Sequence, residues 1–145
     1  MEIDPANPIV ALCVRGMQAE AEHRFDEARA LFQQAWDGHG SEYEASVAAH
    51  FLARQQSSLE DALLWNQRAL DSALEASLDD IRGFLPSLYL NLAHSHEMLG
   101  QLDQAEHYLA LGESRVAELP ESPYGAVVRD GLTRLGQRLQ LARSA

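Results

Sequence analysis

The sequence predicts an all-α fold built from helical hairpins, and three observations support this prediction. First, one pattern of apolar and small residues occurs three times, in HRFDEARALFQQAW (residues 23–36), SSLEDALLWNQRAL (57–70) and GQLDQAEHYLALGE (100–113). Second, each of these segments follows another stretch in which such residues recur at helical spacing. Third, serine, proline and glycine stand where the helices would begin and end.

The repeated segments share four positions at i, i+3, i+7 and i+10, which lie on one face of a helix. These positions hold Phe25, Ala28, Phe32 and Ala35 in the first segment, Leu59, Ala62, Asn66 and Ala69 in the second, and Leu102, Ala105, Leu109 and Gly112 in the third. The small residues allow paired helices to approach closely. Asn66 replaces a large apolar residue, so we expect Leu64 and Trp65 to take over its packing.

The middle hairpin is predicted to have one long second helix. Apolar residues continue at helical spacing from Leu59 to Ile81, so this helix should end near Arg82, with Gly83 as its stop and Pro86 at the next start. The predicted helices are, in order, residues 7–22, 23–36, 42–56, 59–82, 86–99, 100–113 and 123–143.

Capping residues support these bounds. Capping-box spacing or an N-cap residue before proline occurs at four places: Ser41 with Glu44, Ser58 with Asp61, Asp4 with Pro5, and Ser122 with Pro123. Glycines that can close the preceding helices are Gly38, Gly40 and Gly100.

The repeated pattern resembles the tetratricopeptide repeat family, whose unit of about 34 residues carries W-x2-L-G-x2-Y and then G-x-Y-x2-A-x3-F-x2-A. The third repeat matches best, through Tyr89, Leu92, Ala93, Gly100, Leu102, Ala105 and Leu109. The resemblance implies a single domain over residues 1–145, a short right-handed solenoid with repeats at about 7–40, 41–82 and 86–119 and a capping helix over 123–143. The lengthened middle repeat is similar to those of kinesin light chains and of bacterial regulatory domains.

Composition excludes several classes of function. The net charge of −11 disfavours nucleic acid and anionic lipid as partners and favours basic proteins. All 11 basic residues are arginine, so a Schiff-base lysine and a P-loop lysine are excluded. Cys13 is the single cysteine, and the first ten residues lack the basic residue of a signal peptide. These features, with no apolar run long enough to cross a membrane, predict a cytoplasmic protein.

The last segment differs from the rest of the chain in charge and in pattern. Residues 123–145 carry a net charge of +3, while residues 1–122 carry −14. Its apolar residues form one seam with alternating spacings of four and three: Val128, Leu132, Leu135, Leu139 and Ala142. We expect a helix that caps the final hairpin. The alternative is a homodimer formed through the same seam.

The stretch LAHSHEMLGQLDQAEHY (residues 92–108) combines three histidines with glutamates, as a metal or proton-transfer site does. His94 and His96 are about 200° apart around a helix, however, and no histidine pair there has the i, i+4 spacing of converging ligands. We expect His96 to face the paired helix, His94 to face a groove and His107 to point outward. Neither a catalytic residue, a metal site nor a cofactor is predicted.

The resemblance implies that the first helix of each repeat lines a concave groove. By register the groove residues are Cys13, Met17, Glu20, Glu44, Val47, Phe51, Arg54, Leu90, Asn91, His94, Glu97 and Met98. An apolar centre with acidic edges suits a helix or an extended peptide that has apolar anchors and basic flanks. A clamp for a peptide carboxylate is disfavoured, because lysine is absent. The sequence thus predicts a protein-interaction module that is not an enzyme.

Three other functions remain open at this point. One is a small acidic chaperone or regulator, since tetratricopeptide chaperones of bacterial type III secretion are similar in size and charge. Another is a scaffold that associates with itself. The last in rank is a metal-dependent enzyme.

Overall fold

The computed structural model describes residues 6–145, in which all regular structure is helical. The chain divides into two compact units, which contain the described residues 6–80 (the first unit) and 81–145 (the second unit). The helices are α1 (Pro8–Ala21), α2 (Phe25–Gly38), α3 (Glu42–Ala53), α4 (Leu59–Glu75), α5 (Leu78–Ile81), α6 (Leu85–Met98), α7 (Leu102–Glu113) and α8 (Pro123–Ser144), with a 3-10 turn at Val116–Glu118. The predicted all-α class is confirmed, and the prediction of a single domain stays a prediction.

The first unit consists of two helical hairpins, α1–α2 and α3–α4, and α3 also packs against both helices of the first hairpin. Small residues make this possible: α3 buries a continuous run from Ala45 to Ala49, because alanine and serine allow neighbours on several sides. The matched Ala28 and Ala35 of α2 are fully buried, as the repeated pattern predicts. Asn66 is buried too, while Trp65 packs edge-on against Trp36 with ring centroids 5.0 Å apart.

A close contact between Gly16 and Phe32 holds α1 against α2. The Phe32 ring is fully buried and stacks on Phe51 of α3 at a centroid distance of 5.1 Å. A Cβ atom at position 16 would lie 2.2 Å from Phe32 Cε1, well inside contact distance. The backbone of α1 therefore lies directly on the aromatic ring, and only glycine fits there.

The second unit is one hairpin, α6–α7, covered by α8. The apolar seam of α8 lies in a core with the small residues of the hairpin, and its buried members are Ala93, Ala105, Leu109, Leu119, Val128, Leu132, Leu135 and Leu139. The expected covering of the final hairpin by a C-terminal helix is confirmed for this unit. Ala142 of the predicted seam is exposed, because burial along α8 ends at Leu139.

Serine side chains begin three helices as predicted. The Oγ atoms of Ser41, Ser58 and Ser122 accept hydrogen bonds from the backbone N–H groups three residues later, at 3.1, 3.0 and 3.3 Å. Helix α1 begins differently: Asn7 is its N-cap and Pro8 its first residue. The predicted start at Asp4-Pro5 lies outside the described residues.

The prediction of one long helix from Leu59 to Arg82 is wrong. Helix α4 ends at Glu75, Ala76 is extended (ψ 168°), and the short α5 follows. Ser77 with acids at positions 79 and 80 is a helix-start pattern, and it prevails over the continuing apolar periodicity. Leu64 is also not packed as predicted, since it is 47% exposed.

The turns of the first and last hairpins each contain a residue in the left-handed conformation, which is a histidine in one turn and a glycine in the other. Gly100 has φ +75°, and His23, which lies 77 residues earlier at the same point of the repeat, has φ +60°. A left-handed conformation costs a non-glycine residue about 1 kcal/mol or more. We therefore expect His23→Gly to raise the free energy of unfolding by about 0.5–1 kcal/mol, measured by urea denaturation.

The matched control for this prediction is Gly100→Ala, which introduces a Cβ atom at the equivalent left-handed position. It should lower the free energy of unfolding by about 1 kcal/mol, although no atom lies within 4 Å of the added Cβ. A destabilised His23→Gly protein would mean that the edge-on contact of His23 with Phe25 outweighs the backbone strain.

Candidate functional site

Three of the predicted groove residues of the first unit are buried. Cys13, Val47 and Phe51 are at most 2% exposed. The prediction that they line an open groove is therefore corrected: their side chains belong to the interior. Met17 is half-buried, and Arg54 is exposed with its guanidinium over the Phe51 ring at 5.4 Å.

The predicted acidic edge of the first unit joins α1 to α3. Asn7 donates a hydrogen bond to Glu44 Oε2 (2.9 Å), and Glu44 Oε1 accepts another from the Gly40 N–H. Near the other end of α1, Glu20 Oε1 lies 2.9 Å from Arg54 Nη2, and the Glu20 side chain is only 12% exposed. Both carboxylates thus have partners within the first unit.

In the second unit two of the predicted residues of α6, Leu90 and Glu97, contact α8. Leu90 is half-buried, and a Cβ atom at Gly131 of α8 would lie 2.7 Å from its Cδ2. Asn91 is half-buried, while Met98 is 53% exposed and the side chain of His94 is 54% exposed. Glu97 is mostly buried, at 17% exposure.

Glu97 forms the central polar contact between α6 and α8. Arg138 donates two hydrogen bonds to it, from Nε to Oε2 (2.8 Å) and from Nη2 to Oε1 (3.0 Å), the paired geometry of the stronger ion pairs. His94 Nδ1 lies 3.1 Å from the same Oε1. Arg138, with a smaller contribution from His94, holds the pKa of Glu97 below its ordinary value, against the opposing effect of burial.

Both units have a glutamate–arginine ion pair at the same repeat position, although Glu97 accepts two hydrogen bonds from Arg138 while Glu20 Oε1 accepts none from Arg54. Glu97 lies 77 residues after Glu20, the offset that also relates Ala28 to Ala105. In each unit the glutamate near the end of the first helix is paired with an arginine of the third packed segment, Arg54 or Arg138. This pairing was not predicted from the sequence, although repeats one and three share the glutamate position.

A second arginine of α8 is paired with the other helix of the hairpin. Arg143 donates from Nε to Glu106 Oε1 at 2.7 Å, and it also contacts Asp103. Residues 85–113 contain four carboxylates and no arginine, while α8 carries four arginines and one aspartate. The second unit is therefore an acidic hairpin that binds a basic amphipathic helix.

The depressed pKa of Glu97 gives a prediction for pH. A carboxyl group that binds protons less readily in the folded state contributes stability above its unfolded pKa and loses it as pH falls through the folded pKa. Glu97→Gln should lower the free energy of unfolding by about 1 kcal/mol at neutral pH. The difference from the wild type should vanish as pH falls below the ordinary glutamate range, as urea denaturation at several pH values would measure.

The control for this prediction is Glu121→Gln. Glu121 is 96% exposed and lies 3.6 Å from Arg129, so its loss should change stability little at any pH. If Glu97→Gln lowers the free energy of unfolding by the same amount at acidic pH, the contact depends on the shape of the Glu97 side chain and not on its charge.

His96 and His107 lie as the sequence predicts. His96 is buried, stacks on Tyr108 with ring centroids 5.4 Å apart, and its Nδ1 lies 2.6 Å from Gln101 Oε1. His107 is exposed. Among residues 6–145, no cluster of three or more histidine, cysteine or acidic side chains is arranged to hold a metal ion.

Burial keeps two other titratable groups uncharged at neutral pH. Burial raises the pKa of the Cys13 thiol to about 12, so the thiolate that a nucleophile requires is not formed. Burial, with a smaller contribution from Arg54, lowers the pKa of His50 to about 4. His50 is therefore neutral at neutral pH.

Comparisons with known proteins give no relative from which a function could be transferred. No protein-family model matches the chain, and neither curated proteins nor solved structures give a match. Within the described residues, no helix is both long enough and apolar enough to cross a bilayer.

Proposed function

We propose that the chain is a tetratricopeptide-type protein-interaction module without enzymatic activity, which binds a helix or peptide of a partner through apolar anchors and basic flanks. The observation that supports this most is the way in which α8 binds the α6–α7 hairpin. Its apolar seam enters the hairpin core, and Arg138 and Arg143 pair with acids on both helices. Helix α8 thus combines apolar and basic residues in the way that the sequence predicts for a partner.

Charge supports the same class of partner. The hairpin acids attract basic segments, and such attraction raises association rates and selects against acidic competitors. The exposed His94 and Met98 lie next to the ion pair on α6, and a thioether side chain adapts to differently shaped apolar anchors.

A selection experiment tests this function without a known partner. A phage library of random peptides is selected on the immobilised full chain, and the enriched peptides are synthesised for affinity measurement. We expect arginine or lysine together with leucine-type residues at i, i+3 or i+4 spacing. Raising the salt from about 50 mM to about 500 mM should weaken binding at least about tenfold.

The control peptides keep the apolar residues but replace arginine and lysine by glutamine, and they should bind much more weakly. Enrichment of acidic peptides, or binding that is indifferent to salt and to these replacements, would contradict the proposed partner chemistry. No saturable peptide binding at all would contradict the proposed function.

A further inference from the structure

We propose that the face of the α6–α7 hairpin beneath residues 136–144 is a binding surface for a basic amphipathic helix of a partner protein, and that residues 136–144 (the latch) occupy this surface until such a helix displaces them. This inference rests on the proposed function and assigns it a surface and a recognition pattern.

The two halves of α8 are attached to the rest of the second unit in different ways. In the first half, Tyr124 donates a hydrogen bond to Ser87 Oγ (2.8 Å), Arg129 donates one to the Leu119 carbonyl, and Val128, Leu132 and Leu135 are buried. Gly125 packs so closely on the Pro120 carbonyl that an added Cβ would lie 2.0 Å from the oxygen. This half is fixed.

The latch has far fewer attachments. Leu139 is its one buried side chain, and every residue from 140 to 145 is exposed. The remaining attachments to the hairpin are the ion pairs of Arg138 and Arg143, and the arginine side chains are 48% and 45% exposed. The Arg143 pairs are exposed on both sides and contribute little, while the Arg138 pair with the mostly buried Glu97 contributes about 1 kcal/mol. Salt screens these pairs and Leu139 is the one buried side chain, so this part of α8 opens at lower cost than the first half.

The surface around the latch is also concave. An open groove of about 830 Å³ lies beside it, lined by Glu106, Leu109 and Glu113 of α7 and by Gly136, Gln137 and Gln140 of α8. A Cβ atom at Gly136 would meet its nearest neighbour at 3.6 Å, an ordinary contact distance. A helix with larger side chains could therefore fill this surface better than the latch does.

The latch defines what such a partner would look like. Arg138, Leu139 and Arg143 make its contacts with the hairpin, which gives the helical pattern Arg-Leu-x3-Arg. The carboxylates that receive the arginines are Glu97, Glu106 and Asp103. Glu113 adds an exposed carboxylate at the groove, which a partner with a further basic residue could pair.

The test weakens the latch in the full chain by charge reversal. The variant Arg138→Glu with Arg143→Glu is compared with Arg29→Glu with Arg134→Glu, which changes the net charge equally at exposed positions away from the latch contacts. The probe is an acetylated, fluorescein-labelled peptide with the sequence of residues 128–145. Its affinity for each protein is measured by fluorescence anisotropy at about 50 mM salt.

We expect the latch variant to bind the peptide at least about tenfold more tightly than the wild type and the control variant do. Hydrogen exchange should be faster at the amides of residues 137–144 and unchanged at 126–133 in the latch variant. A peptide with glutamate in place of the two latch arginines should not bind. If the latch variant fails to fold, the milder Arg138→Gln with Arg143→Gln replaces it.

Three outcomes would overturn the proposal. They are equal peptide affinity for the latch and control variants, unchanged exchange in residues 137–144, and dimerisation of the latch variant in place of peptide binding, which would make a second copy the occupant. The proposed function would survive all three if the selected peptides still bind the wild-type chain with the expected salt dependence, because those peptides would then use another surface.

Discussion

Gly16→Ala is expected to destabilise the first unit by about 2 kcal/mol. Replacing glycine by alanine inside a helix normally gains about 1 kcal/mol. At position 16, however, the new methyl group would lie 2.2 Å from Phe32 Cε1. The ring cannot move away easily, because it is fully buried and stacked on Phe51, and overpacking of this kind costs about 3 kcal/mol.

The same substitution at Gly136 of α8 is the matched control. The nearest neighbour of the added Cβ there is 3.6 Å away, so the helical gain should appear undiminished and raise stability by about 0.5–1 kcal/mol. Both tryptophans lie in the first unit, so their fluorescence during urea denaturation measures the stability change caused by Gly16→Ala. Far-UV circular dichroism and hydrogen exchange at the amides of α8 measure the stability change caused by Gly136→Ala. Equal effects at the two glycines would refute the proposed role of the Phe32 contact.

The helical hairpins could be predicted from the sequence because their pattern follows from backbone geometry. Small residues occur where two helices come closest, and Ala28 and Ala105 are both fully buried at such points. The direction of His96 was also predicted correctly: it was expected to face the paired helix, and it stacks on Tyr108 of α7. Local rules of this kind need no knowledge of distant residues.

Exposure of the candidate groove could not be predicted, because it depends on which other helix covers a face. Register alone assigned Cys13, Val47 and Phe51 to the groove, but α3 is so rich in small residues that eight of its 12 residues are buried. A helix packed on several sides shows weak amphipathicity in its sequence, and the exposed side cannot be identified from that pattern.

The pairing of Glu97 with Arg138 joins residues that are 41 positions apart. Two signals pointed towards it: a glutamate shared by repeats one and three, and the positive charge of residues 123–145 in an acidic chain. These signals are enough to suggest that the last helix and the third hairpin attract each other, although this was not predicted from the sequence. They did not indicate which arginine meets which acid, because that depends on the docking register of α8, which its apolar seam sets.

Leu135→Ala should lower the free energy of unfolding of the second unit by about 3 kcal/mol. Leu135 is fully buried among the seam and hairpin residues, and truncating a buried leucine costs its transfer free energy and leaves a cavity. The matched control is Leu141→Ala on the same helix. Leu141 is 72% exposed, so its truncation should change stability by less than about 0.5 kcal/mol.

The dependence of stability on protein concentration distinguishes a seam that packs on the chain's own hairpin from one that forms a homodimer. Because Leu135 lies against the hairpin of its own chain, the loss of stability should be the same at low and high protein concentration, as urea denaturation by circular dichroism would measure. A homodimer held by the same seam would require α8 to leave that hairpin, and its unfolding midpoint would rise with concentration. A concentration-dependent midpoint that Leu135→Ala abolishes would therefore favour the dimer and argue against the latch.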